Sequence, residues 1–252
     1  MIRSLYTLNR NMNILQKKQE NTSANISNAN TPGYKFQNII QSTLEVQNLV
    51  NFAGGPNIDQ LQELGTLPLG NQIDGVYTNF EQGNMMQTDL FTDIAIHGNG
   101  FFTVALDNGQ MAFTRNGNFK INDNHQLVTM EGYPVLAIDN NGQISDIIIN
   151  HDDFKVGNSG EIIGQNKSLM IVDFGDYNSL QKLGDTLYIP DNNQFNVIQG
   201  NTSQGLIETS NVKLIDEMVK MIEISREFES NQKLLHSADD TLNKAVNEIG
   251  KV

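Results

Sequence analysis

Residues 24–35 read ANISNANTPGYK, and the fold turns on what the chain does inside these positions. Upstream of them Leu5, Leu8, Met12, Leu15, Gln19, Thr22, Ile26 and Ala29 recur at alternating steps of three and four. Six of those eight are apolar, which makes a heptad seam on a helix. The helix cannot run unbroken past Thr31. Pro32 biases the residue before it away from the helical region, and Pro32-Gly33 suits the two central positions of a type II turn. Asn21, Asn25 and Asn28 stand four and three apart on one side of that helix. Spacing alone leaves two roles open for them. They are a solvated polar edge that frays before the turn, or amides paired across a packed helix, where pairing fixes register.

The other end of the chain carries a stronger pattern. Leu214, Met221, Phe228, Leu235, Leu242 and Ile249 recur every seven residues. The companion column expected beside them is Met218, Ser225, Gln232, Asp239 and Val246, apolar only at its two ends. Neither Pro nor Gly interrupts residues 206–249, and Ser210 or Asn211 is a suitable N-cap. The pattern predicts one helix of nearly forty residues.

Between the helices the periodicity changes. DIAIHGNGFFTVAL, MAFTRNG, NFKIN, QLVTM, PVLAI, SLMIVDF and DTLYIP are short apolar or alternating runs, the mark of strands. Asp-Asn-Gly at 107–109 and Asn-Gly at 116–117 and 141–142 bound several of them as hairpin signals. Residues 51–75 show no clean period and read as a loop or extended connection. The predicted fold class is α+β. Its parts are an N-terminal helix at 1–35, an extended connector at 36–75, a central all-β domain at 76–207 and a C-terminal helix at 208–252. The two terminal helices form a coiled-coil-like domain.

Composition narrows the function. The net charge is −13, and it is unevenly placed: +4 over residues 1–40, −2 over 211–252 and −15 between. An acidic body repels phosphate backbones, so nucleic acid is not an expected partner. No apolar run has the length of a membrane span, so no membrane insertion is expected. The first residues, MIRSLYTLNRNMNILQKKQEN, lack the continuous apolar core of a cleaved signal peptide. There are no cysteines, hence no disulfides or thiolate metal sites.

Catalytic signatures are not found either. His97, His125, His151 and His236 fall into no metal-ligand spacing. GNG at 98–100 follows a strand without the third glycine or the helix of a dinucleotide fold. DNNG at 139–142 lacks the alternate ligands and closing glutamate of a calcium loop. No nucleophile elbow frames any serine. Neither catalysis nor a cofactor is expected, and a cell-wall hydrolase would need an acid–base pair that no motif supplies. A secreted adhesin with a coiled-coil stalk would instead predict a conventional secretion signal.

Helix length adds a requirement. About 27 residues at the N-terminus span roughly 40 Å and about 38 at the C-terminus roughly 57 Å. Antiparallel pairing of the two therefore leaves part of the longer apolar column bare. Each buried Leu, Ile, Phe or Met contributes roughly 1.5–3 kcal/mol, so a second copy or a related chain is the better cover for the rest.

Three blocks then resemble the bacterial flagellar hook and basal-body rod family, in order and nearly end to end. The first is Asn25, Asn28, Thr31, Gly33, Tyr34 and Lys35. The second runs through Gly98, Gly100, Phe101, Phe102, Thr114, Arg115, Gly117, Phe119 and Gly132. The third holds Ser210, Asn211, Val212, Glu217, Met218, Ile222, Arg226, Asn231, Lys233 and Asp239. Ala24 and Ser27 depart from the residues usual there, though both are small. Chain length is similar to the rod members, and residues 66–89 are similar to the segment entering the β domain of the distal ones, with the proximal ones left open. The resemblance implies a structural axial subunit whose terminal helices form an inner tube beneath a β layer, and which passes through the flagellar type III export apparatus. Its partners would be copies of itself and other rod or hook proteins. The interface residues it implies are Asn25, Asn28, Thr31, Gly33, Tyr34, Leu214, Met218, Met221, Phe228, Leu235 and Leu242. Gly33→Val is then expected to impair assembly more than it impairs folding of the β domain.

Overall fold

A computed structural model describes residues 2–44, 46–53, 60–149, 154–192 and 194–249. They divide into two compact units, one of residues 1–26, 37–77 and 214–252, the other of residues 27–36 and 78–213.

The first unit holds the terminal helices. Helix α1 spans Ile2–Ser27 and ends, as the turn sequence requires, ahead of Thr31-Pro32-Gly33. Helix α2 spans Leu214–Lys244 and continues as a wider π turn over Ala245–Ile249. It begins four residues after Ser210 and three after Asn211, the proposed caps. Ser210 instead folds back on Val212, its Oγ accepting the Val212 amide at 3.2 Å. Asp216 and Glu217 place negative charge in the first turn and Lys244 positive charge in the last, both favourable to the helix dipole.

Of the sevenfold column, Met221, Phe228, Leu235 and Leu242 are half-buried and Leu214 is exposed. Of the expected companions, Ser225 is half-buried while Met218, Gln232, Asp239 and Val246 are exposed. The buried companions are Glu217, Ile224 and Asn231, one position earlier on the helix. The physical reason is side-chain chemistry. Gln232 and Asp239 keep their solvent, whereas the earlier column offers Ile224, the small Ala238 and two polar groups, one of which, Glu217, has a partner inside the unit.

Residues 36–75, expected as an extended connector, fall largely in a β ribbon over residues 37–78. Strands β1 (Gln37–Thr43), β2 (Val46–Ala53), β3 (Gln60–Pro68) and β4 (Asn71–Thr78) pair as β2 with β3 and β1 with β4. The irregular period that hid them is a register shift between Leu49 and Val50, opposite Gly65 at φ +129°. A bulge of this kind breaks the twofold alternation by which strands are recognised.

The second unit is the β-rich body. Its first strands are β5 (Met85–Gln87), β6 (Ile94–His97), β7 (Phe101–Ala105), β8 (Met111–Thr114), β9 (Phe119–Ile121) and β10 (Leu127–Thr129). After them come β11 (Leu136–Asp139), β12 (Ile144–Asp146), β13 (Lys167–Leu169), β14 (Ile171–Asp173) and β15 (Leu180–Leu183). The last are β16 (Leu187–Pro190), β17 (Asn196–Ile198), β18 (Asn201–Gln204) and β19 (Leu206–Glu208). The central sheet has the order β15-β16-β8-β7-β14-β17. Successive side chains on a strand point to opposite faces, and the sheet uses both. Phe102 and Val104 enter one cluster with Ile94, Phe119, Leu127 and Ile171, while Phe101 enters another with Phe113, Val172, Phe174 and Tyr188. That is why FFTVA reads as a continuous apolar run and not as an alternation.

Two of the three Asn-Gly signals turn hairpins. Gly109 at φ +78° lies between β7 and β8, and Gly142 at φ +79° lies between β11 and β12. The third does something else. Gly117 sits against the backbone of Ile94, where an added Cβ would collide with the Ile94 carbonyl oxygen, and its own oxygen accepts the Ile94 amide at 3.0 Å.

Candidate functional site

Two local arrangements carry the residues singled out by sequence. In the helical unit, the asparagines bind backbone. Asn21 and Asn25 each donate through Nδ2 to the Gln37 carbonyl, at 3.0 and 2.8 Å, and Asn25 Oδ1 accepts the Gln37 amide at 3.2 Å. Asn25 Nδ2 also reaches Glu217 Oε2 at 2.9 Å, a bond that ties α1 to the first turn of α2. The amides therefore hold the start of the β ribbon to the end of the helix. Asn25 and its neighbour Thr22 are fully buried, so their surfaces are spent within the chain. On α2, Leu214 and Met218 are exposed and Met221, Phe228, Leu235 and Leu242 are half-buried.

In the β-rich unit, residues 28–36 form the predicted turn. The Tyr34 amide donates to the Thr31 carbonyl at 3.3 Å with Gly33 at φ +70°, the pattern of a type II turn with proline and glycine at its centre. Thr31 Oγ1 donates to Asn28 Oδ1 at 3.0 Å, and Asn28 Nδ2 approaches Asp185 Oδ1 at 3.5 Å. The turn is then drawn inside. Gly33 lies on the backbone of Arg115 and Asn116, and its amide donates to the Glu208 carbonyl at 2.8 Å. Tyr34 and Lys35 are both 0% exposed.

Lys35 explains how a charged side chain tolerates that position. Its Nζ donates to Glu208 Oε1 at 2.6 Å and to the Glu81 carbonyl at 2.7 Å, while the Gly83 amide donates to the same Glu208 oxygen at 2.9 Å. The guanidinium of Arg115 faces Glu208 Oε2 at 3.6 Å, donates to the Gly98 carbonyl at 2.6 Å and lies 5.3 Å from the Phe101 ring centroid. Burial pushes the Lys35 ammonium below its usual range, and Glu208 opposes that shift. Asn211, expected as a cap, joins the same closure: its Oδ1 accepts the Phe36 amide at 2.7 Å and its Nδ2 donates to the Asn79 and Glu81 carbonyls. Sequence inspection marks Lys35 and Arg115 only as motif positions. Nothing in spacing pairs residue 35 with residue 208.

Lys182, on β15, packs its ammonium 4.1 Å from the centroid of the Tyr34 ring. Burial pushes it down to about 8, with Asp185 pulling the other way. A lysine whose folded value lies below its unfolded value of about 10.5 leaves the folded state with fewer protons in that interval, so stability rises as pH climbs out of it. The expected gain between pH 8 and 9.5 is about 1 kcal/mol, discounted because Lys182 keeps part of its solvent. Tyr177, pushed up to about 12 by burial and by its bond to Asp173, opposes the gain above pH 10, where an unfolded tyrosine ionises more readily. Urea midpoints measured across this range are expected to rise for the native chain and to rise less steeply for Lys182→Met, where the buried Lys35 ammonium still contributes in that direction. Equal slopes would remove Lys182 as the cause.

His97 Nε2 lies 2.9 Å from Ser203 Oγ across β6 and β18, His125 sits in a turn at φ +62°, and His236 is exposed on α2. His151 lies outside the described residues. Among the described residues no group of three His, Asp or Glu is placed to hold a metal ion, and no helix is long and apolar enough to cross a membrane. The cleft at Phe174, Asp176, Ser179, Asn192 and Gln194 has one carboxylate, Asp176, whose Oδ1 already accepts the Asn178 amide at 2.9 Å.

The chain matches three family models in sequence order. Residues 5–35 match the flagella basal body rod protein model, residues 95–164 the flagellar hook protein FlgE/F/G D1 domain, and residues 203–248 the flagellar basal body rod FlgEFG protein C-terminal model. It is 33% identical to the flagellar basal-body rod protein FlgG of Borreliella burgdorferi, with 98% of each chain covered. It is 32% identical to FlgG of Buchnera aphidicola subsp. Schizaphis graminum over 97% of this chain and 98% of the relative. Against the flagellar basal-body rod protein FlgF of Caulobacter vibrioides the identity is 31%, with 94% of each chain covered.

Proposed function

The chain belongs to the flagellar basal-body rod protein family, and we propose that it is a structural subunit of the distal rod, polymerising into the tubular shaft that carries torque from motor to hook. Its terminal helices pack with those of neighbouring copies into a coiled-coil-like inner tube, and its β-rich unit contributes to a layer outside. It reaches the growing tip through the flagellar type III export apparatus. It acts through binding and not through catalysis, and its partners are copies of itself and other rod and hook subunits. The proximal-rod paralogue is the second reading, favoured by the FlgF relative of Caulobacter vibrioides.

One observation carries the reading. Helix α2 has a second apolar face on the side away from Glu217 and Ile224. Ile215, Met218, Val219 and Ile222 stand at steps of three, one and three, and all are exposed, Ile215 at 77%. A helix with one apolar stripe turned inward and another left in solvent has a partner still to bind. Covering these four side chains would contribute several kcal/mol per subunit, repeated along a polymer. Charge favours the same partner, since residues 1–26 carry +3 and residues 214–252 carry −3. Leu214 and Met218 belong to this outer surface, while Met221, Phe228, Leu235 and Leu242 are available where they are only half-buried. The β ribbon adds a second bare surface, with Ile40, Leu64, Val76 and Tyr77 exposed.

The test is Ile215→Asp combined with Val219→Asp in a cell that depends on this chain. Both side chains are in solvent, so the purified variant is expected to melt within a few degrees of the native protein. Swimming and isolated rods are expected to be lost. Normal rods built from the double variant would reject the proposal.

A further inference from the structure

The unit formed by residues 27–36 and 78–213 is closed at one point by segments 173 residues apart. Lys35 on the incoming segment and Glu208 on β19 meet at 2.6 Å with 1% of either side chain exposed. Arg115 stands on the far side of the same carboxylate. Around them the chain's two crossings of this unit are cross-tied: Gly33 to the Glu208 carbonyl, Phe36 to Asn211, Gly83 to Glu208 and Thr209 to Asn84.

The charges in this cluster do not balance. Two cations share the Glu208 carboxylate, with Asp173 a lesser attraction on Arg115, and Arg115 Nε and Nη1 and Glu208 Oε2 make no hydrogen bond. A buried cation without a counter-charge is strongly unfavourable. Removal of the Glu208 carboxylate therefore takes the main counter-charge from both cations, whereas removal of Lys35 leaves Arg115 facing it.

We propose that Glu208 is an electrostatic latch that lets residues 27–36 and residues 205–213 dock onto the β-rich unit together and not separately. Because residue 208 is made long after residue 35, the buried seat of Tyr34 and Lys35 stays unoccupied until nearly the whole unit has been delivered. The segment at the foot of α1 is then held back from its final position by a residue near the opposite end of the chain. That coupling stands on this unit alone and does not depend on the polymer.

The cluster makes a prediction in which one substitution repairs another. In full-length protein, urea midpoints are expected to fall in the order native, Lys35→Met, the Lys35→Met/Glu208→Gln pair, and last Glu208→Gln alone. The pair is more stable than the single Glu208 variant because it leaves one cation in place of two without the main counter-charge. If the pair is less stable than Glu208→Gln, the latch is wrong. If neither Glu208 variant folds, Lys35→Met decides the matter through amide hydrogen exchange. Exchange rising about tenfold at Gly83, Thr88 and Thr209 as well as along residues 27–36 shows that the two docking segments open as one. A rise confined to residues 27–36 shows that they do not, and ends the proposal.

Discussion

Gly33→Val is expected to unfold the β-rich unit at temperatures where the native chain is intact. A Cβ at this position would lie 2.3 Å from the Asn116 amide nitrogen and 2.5 Å from the Arg115 carbonyl carbon, and both are backbone atoms that no rotamer can move. The conformation itself, φ +70°, costs a β-branched residue about 1–3 kcal/mol. Collision and strain together place the loss at about 4 kcal/mol or more, in the exceptional tail for single substitutions, and the melting temperature is expected to fall by about 10 °C or more. Gly75→Val is the control, since nothing lies within 4 Å of the Cβ it would carry. This revises the expectation that Gly33→Val impairs assembly more than it impairs folding of the β domain. The turn is part of the β fold. A Gly33→Val melt as high as that of Gly75→Val would show that the turn is not seated as described.

The second large effect concerns where the β-rich unit begins and ends. A fragment of residues 27–213 is expected to melt cooperatively, and a fragment of residues 76–207 is not. The shorter piece lacks Tyr34 and Lys35, whose side chains fill closed space. It stops one residue before Glu208, which pairs with Met85 in the last rung between β19 and β5. It thereby takes the main counter-charge from the Arg115 guanidinium, and it loses the bonds from Asn211 to the Asn79 and Glu81 carbonyls. Each loss is of the kind that costs a domain about 1–5 kcal/mol, against a whole stability of about 5–15. Near-ultraviolet circular dichroism through a thermal ramp distinguishes the two, and a sharp transition in the 76–207 fragment would count against this boundary.

Much of the fold was legible because local physics decided it. Pro32 and Gly33 could only end a helix, and the aromatic and β-branched runs around Phe101, Phe113 and Leu187 could only be strands. The buried column of α2 was half-legible. Met221, Phe228 and Leu235 announce themselves by type, but Glu217 and Asn231 are residues that a search for apolar positions passes over, and Glu217 is inside because Asn25 meets it there. The ribbon at 37–78 was hidden by its bulge. Its apolar side chains, exposed on Val46, Leu49 and Val76, show no inward face. The cluster of Lys35, Arg115 and Glu208 lay beyond sequence altogether. A lysine beside an aromatic residue looks like any surface lysine until the fold brings a carboxylate from residue 208 to it.

The nested pairing of that ribbon, β2 with β3 inside β1 with β4, has a consequence for how such subunits can diverge. The chain enters at Gln37 and leaves at Thr78, and these ends belong to paired strands whatever lies between. Two residues added to each inner strand would lengthen the ribbon by about 7 Å and leave every side chain on its original face. One residue added to a single strand would turn the remainder over. Reach is thus a separately adjustable dimension, changed in paired steps with both anchor points untouched. Paired insertions or deletions in the inner strands change the ribbon's length while the helices and the β-rich body keep their sequences.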